Sequence, residues 1–164
     1  MKLIDHLIDR LQTSRKWTNN LLEDIEPNRW FEMPGGGTGH VAWQVGHVAA
    51  SQIVLIHNRC FATPMDSCMP EAQRLAFGRG STPVGDPSKY PPISEIRATF
   101  DRIQNEAIEL IRNAGEADLD APAGDPHPMF TTKAGAIGMA ATHESFHAGQ
   151  IAMIRRVFGK APLR

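Results

Sequence analysis

Four stretches of this chain repeat apolar residues every three to four positions, and that period limits what it can fold into. The clearest runs through I-S-E-I-R-A-T-F-D-R-I-Q-N-E-A-I-E-L-I-R, where Ile96, Phe100, Ile103, Ala107 and Leu110 fall on one face with Ile111 beside them. Pro91 and Pro92 precede it and Gly115 follows, which predicts a helix over about 93–114. Residues 2–26 show the same repeat through Leu3, Leu7, Leu11, Leu21, Leu22 and Ile25, and Pro27 helps to stop that helix. Two more helices are expected over about 39–60 and 131–158. Thr38 is the predicted cap of the former and Thr131 or Thr132 of the latter, while Gly159 and Pro162 end the last helix. No stretch alternates convincingly, so no strand is expected. Four amphipathic helices, each with a face to bury, predict an all-α four-helix bundle. The length of 164 residues suits one domain over 1–164.

The connectors differ in character. E-M-P-G-G-G-T-G-H invites comparison with a phosphate loop, but no Gly-Lys-Ser/Thr follows and no strand precedes it. Residues 61–92 hold six prolines and little periodicity, apart from P-E-A-Q-R-L-A-F, which suits a short helix. So long a connection between the second and third helices can cross the bundle, and such loops often cover a site. D-L-D-A-P-A-G-D-P-H-P leads into the last helix as a polar connector.

The formal net charge of −1 gives no support for binding nucleic acid or an anionic membrane. No run of apolar residues is long enough to span a bilayer. Charged residues interrupt M-K-L-I-D-H-L-I-D-R, unlike the core of a signal peptide, so a cytoplasmic protein is expected. Cys60 and Cys68 are too few and too oddly spaced for a zinc knuckle or a disulfide framework, and read as plain thiols.

The chemistry concentrates in T-H-E-S-F-H-A-G-Q-I-A-M-I-R-R, residues 142–156. Ala136, Ala140, His143, His147, Gln150, Ile154 and Phe158 follow one another at helical steps, so both histidines continue an apolar face. Buried polar groups are costly unless partnered. At i and i+4 two imidazoles stand about 5–6 Å apart at Cβ, within reach of one metal ion. A third ligand has to come from elsewhere. On the second helix Trp43, His47, Ala50 and Val54 form a stripe, Gly46 permits a close helix approach, and His47 sits among apolar neighbours. His40, near the helix start, reads as a solvated or capping residue. His57 lies about three turns from His47 and is too distant to share its site, and His6 and His127 are not expected to be ligands. Three neutral histidines suit Zn, Ni, Fe, Co or Cu and are poor for Mg or Ca. Three ligands also leave a coordination position open, as at catalytic sites.

H-E-S-F-H also matches the short zinc-peptidase pattern, with Glu144 as its general base. The peptidase reading is disfavoured. No His, Glu or Asp follows His147 to act as third ligand, and no sheet is evident to hold an extended peptide. Glu144 lies about 100° round the helix from His143. It either flanks the site as a pocket candidate or faces solvent, and a surface position or salt bridge is favoured. Gln150 and Trp43 are the other candidates to line the pocket.

With these residues in hand the chain resembles the DinB superfamily of DinB/YfiT-like metalloenzymes. The resemblance rests on W-Q-V-G-H-V, P-P-I-S-E-I-R-A-T-F and H-E-S-F-H-A-G-Q-I-A-M-I-R-R-V-F-G-K, and covers nearly the whole chain. It implies a four-helix bundle with an unusual connection, often dimeric, and a metal triad at His47, His143 and His147. Its implied cofactors are a divalent transition metal, Zn or Ni first, and a low-molecular-weight thiol such as bacillithiol or mycothiol. The implied activity is thiol S-transferase-like or hydrolase-like, on a small-molecule substrate, with a homodimer as the expected assembly. The alternative is a non-catalytic dimeric bundle, metal-binding or stress-associated, whose histidines are satisfied by hydrogen bonds.

Overall fold

The computed structural model describes residues 2–163. The protein is predominantly helical. Helix α1 (Leu3–Leu22) buries Leu7, Leu11 and Leu21 and stops four residues earlier than the periodicity suggests; Pro27–Arg29 then form a short 3-10 turn. Helix α2 (Val41–Gln52) begins at His40 instead of Thr38, because the His40 ring accepts the Trp43 amide and supplies the cap. A π-helical segment, Ile53–Asn58, carries the chain on into α3 (Arg59–Phe61). Its wider turn re-phases the helix. Val54 stays beside His47 and Ala50 in the wall of one cavity and is 41% exposed there, not buried.

Residues 61–92 form an ordered strap with more local structure than the one short helix expected. They contain α4 (Met65–Cys68), α5 (Glu71–Phe77), which matches the expected short helix, and a 3-10 turn at Pro87–Lys89. Helix α6 (Ile93–Asn113) closely follows the expected span. Ile111 takes the buried place expected of Leu110, as a step of four after Ala107 keeps the row on the buried side. After the single turn α7 (Glu116–Leu119) comes a two-stranded antiparallel ribbon, β1 (Pro122–His127) and β2 (Phe130–Thr132). This corrects the expectation of no strand. Two prolines lie within β1, and a lone ribbon tolerates them because its outer edge has no ladder to break. Their presence is also why the segment reads as a connector.

Helix α8 (Lys133–Val157) starts at Thr132, whose hydroxyl oxygen accepts the Gly135 amide at 3.2 Å, and ends before Gly159 at φ 80°. It packs along α1 and also against α2, and α6 packs against α2 and, less extensively, against α1. Contact with two helices widens the buried arc of α8. Ile137, Ala141, Glu144, Ala148 and Ile151 are all buried, a row displaced from the one through His143 and Gln150. Among the described residues no helix is long and apolar enough to cross a membrane.

Candidate metal centre

Helices α2 and α8 meet where each presents imidazoles. One nitrogen from each of His47, His143 and His147 lies within 4.8 Å of the others. His47 and His147 are buried and His143 is half-buried. The close approach depends on Gly46. A Cβ there would come within 2.6 Å of the Phe77 ring, so only glycine admits the end of α5 onto α2 at this point. Thus seated, the Phe77 carbonyl accepts from His47 Nδ1 at 2.6 Å. That bond assigns the proton to Nδ1 and makes Nε2 the acceptor, its lone pair met only by the Ser51 hydroxyl at a long 3.4 Å.

His147 is fixed in the same way by a residue that the sequence reading did not single out. Gln44, fully buried, donates its amide to the Gly39 carbonyl at 3.1 Å and to Gln150 Oε1 at 2.9 Å. Both donors are thereby assigned to one end, so the other end must be the acceptor. Gln44 Oε1 accepts from His147 Nδ1. His147 Nε2 is left with a lone pair, 3.3 Å from His143 Nε2. Hydrogen-bonded Nδ1 groups of this kind set the tautomer and ring orientation of metal-binding histidines. Gln44 had a signal: it is a polar residue three before His47 on an otherwise apolar helix face.

Burial makes all three imidazoles weak bases. It is the main cause in each case, and for His143 and His147 the neighbouring histidines add to it. His47 is lowered, His143 falls to about 4 and His147 to about 3. At neutral pH the cluster is therefore uncharged, with at least two lone pairs turned inward. That donor set fits a borderline-soft divalent metal.

The remaining candidates divide. Trp43 stacks on His47, with ring centroids 4.6 Å apart and planes at 11°, and its indole N–H donates to Ser81 of the strap at 2.9 Å. Gln150 is exposed and is linked to the cluster through Gln44, whose amide donates to its Oε1. Glu144 overturns its expectation of solvent. It is 0% exposed and turned toward α1 and α2, where Arg15 Nε donates to it at 2.8 Å and Gln52 at 3.1 Å. One helical step past His143 leads to solvent only on a narrow buried face. On α8 it leads to the centre of a wide one. Glu144 serves the core and not the histidines, which removes the base from the peptidase pattern.

The other histidines have separate roles. His40 is buried, not solvated; besides capping α2 it donates from Nε2 to the Val84 carbonyl at 3.0 Å. His57 is also buried, with Nε2 3.0 Å from the Ile103 carbonyl, and His6 is exposed. His127, on β1, joins His47 and His143 in the wall of one cavity of about 600 Å³.

A helical protein with three neutral histidines converging from two helices, each of the buried pair oriented by a fixed acceptor, has the makings of a metal centre. The chain belongs to the DinB superfamily, whose family model matches residues 10–151, a span that includes all three histidines. Searches of curated proteins and of solved structures returned no match.

Proposed function

We propose that this chain is a metal-dependent enzyme of the thiol S-transferase-like or hydrolase-like kind, built as one four-helix-bundle domain over residues 1–164. His47, His143 and His147 would hold a divalent transition metal, Zn or Ni first. The convergence of three nitrogens within 4.8 Å, two of them on rings whose Nδ1 is already committed, carries this reading. When bound, the ion supplies Lewis acidity and lowers the pKa of a bound water or low-molecular-weight thiol.

The chain's own residues hold and enclose the site. Gln44 and Phe77 orient two ligands, Trp43 covers one face of His47, and the strap closes over α2 through Phe77 and Ser81. The cavity beside His47 and His143 has the size of a small-molecule site. A ligand that binds only the native state raises its melting temperature. Addition of Zn, Ni or Co to metal-free protein is therefore expected to raise it. A flat response to all three favours the alternative, a non-catalytic scaffold with hydrogen-bonded histidines.

We further propose a homodimer. Phe146, Met153 and Val157 stand exposed at helical spacing along α8, with Trp17 exposed on α1. Apolar rows of this kind mark interaction surfaces. Phe146→Asp is expected to shift the sedimentation coefficient from dimer to monomer. A wild-type chain that sediments as a monomer contradicts the proposal.

A further inference from the structure

The cavity beside the histidines is cationic, although the chain as a whole is slightly acidic. Arg59, Arg74, Arg79 and His127 share its wall with His47 and His143, and among the described residues no Asp or Glu does. The three guanidinium groups are not equivalent. Arg74 forms an ion pair with Asp66 and donates to the Met69 carbonyl, so its charge is already answered. Arg59 is tied from Nη1 to the backbone carbonyls of Ala123 and Asp125, at 3.3 and 2.7 Å. Those bonds hold it against β1 but bring no opposite charge. Arg79, exposed at the end of the strap helix, also has no ion pair among the described residues.

Two positive charges thus stand uncompensated in the wall of a concave site whose other lining side chains include Val54 and Met139. Low-dielectric walls focus such a field and raise the local concentration of anions. The planar guanidinium fork matches the oxygens of a carboxylate or phosphate. A divalent cation at the neutral histidine cluster would add to the same field. Nothing in the packing of α2, the strap or the ribbon requires Arg79 to stand there.

We propose that the substrate of this site is a small oxyanion-bearing molecule, a carboxylate or a phosphate ester. Arg59 and Arg79 bind its charged group and place its reacting group at the histidine cluster. The proposal deepens the enzymatic reading above and rests on it for where the reaction occurs. It assigns the specificity to residues of α3 and the strap, outside the helices that carry the histidines.

A matched pair of probes tests it: 3-mercaptopropionate and its uncharged amide, each titrated calorimetrically into metal-free and Co(II)-loaded protein. The acid is expected to bind about tenfold more tightly than the amide in both forms, the worth of one charge-assisted hydrogen bond. The preference should shrink as salt is added and in both Arg79→Gln and Arg59→Gln. Arg79 is exposed, so its substitution leaves the fold intact. Equal binding of acid and amide, or a full preference kept in both variants, overturns the proposal. If cobalt strengthens neither thiol while the acid keeps its advantage, the metal-enzyme reading fails and the anion site stands. Competition by acetate against inorganic phosphate at constant ionic strength then separates the two classes of oxyanion. Competition by neither counts against an oxyanion site.

Discussion

Glu144 and His147 lie three residues apart on one helix and have opposite roles. Glu144 balances Arg15, whose guanidinium also donates to the Phe100 carbonyl at 2.7 Å and lies over the Phe100 ring. Burial pulls Arg15 below its ordinary pKa, and the pairing with Glu144 is the largest influence opposing that pull. Removing one partner of a buried pair leaves an uncompensated charge, at a cost of about 3–5 kcal/mol. The half-exposed Asp101, 3.6 Å from Arg15 Nη1, remains as a partial counter-charge, so Glu144→Gln is expected to lose about 3 kcal/mol, the lower end of that range, in urea unfolding, while the folded fraction keeps its metal affinity. A variant of wild-type stability that has lost metal affinity would put Glu144 at the site instead. The spacing of the histidines was legible because an i, i+4 pair on an apolar row carries its own geometry. The orientation of Glu144 was not. It depends on how wide an arc α8 buries, which is set by α1 and α2 together and cannot be read from the helix alone.

At the scale of elements, the strap is the part that sequence reading described least well and that the site needs most. Its prolines were visible and its short helix was expected. Its use of the Phe77 carbonyl to orient His47 was not, because a backbone acceptor leaves no mark on residue identity. Gly46 was legible as a point of close approach, although the partner is the strap and not another long helix. Gly46→Ala forces the Phe77 ring away, an overpacking that costs about 1–3 kcal/mol. With the ring goes the carbonyl. Loss of an outer hydrogen bond to a ligand typically weakens metal binding by about 10–100-fold. Metal affinity in Gly46→Ala is expected to fall within that range, measured by chelator competition. Unchanged affinity in a folded variant would mean that Phe77 does not orient His47. The ribbon and the π-helical segment stayed hidden for related reasons. Prolines in β1 disguise the one, and nothing in I-V-L-I-H-N distinguishes a π turn from an α turn.

Across the whole molecule, four long helical segments supply the frame, and the connections between them complete the site. His47 and the pair on α8 are separated by about a hundred residues of sequence. Their meeting follows from α2 packing on α8, and the resemblance of both segments to one family anticipated it. Helical character was legible because it is written in local periodicity. The tertiary choices, such as Gln44 fixing His147 and Arg155 closing on Asp24 near the C-terminal end, arise only when distant segments pack.

The central claim is that three histidines from two helices hold one metal ion. The most direct measurement is the metal content of the purified chain after incubation with Zn or Ni and gel filtration. Wild type is compared with His47→Ala, His143→Ala and His147→Ala, each shown to be folded by circular dichroism. The account predicts a tightly held ion in the wild type and its loss in all three variants. Equal metal content in wild type and folded His147→Ala would contradict it.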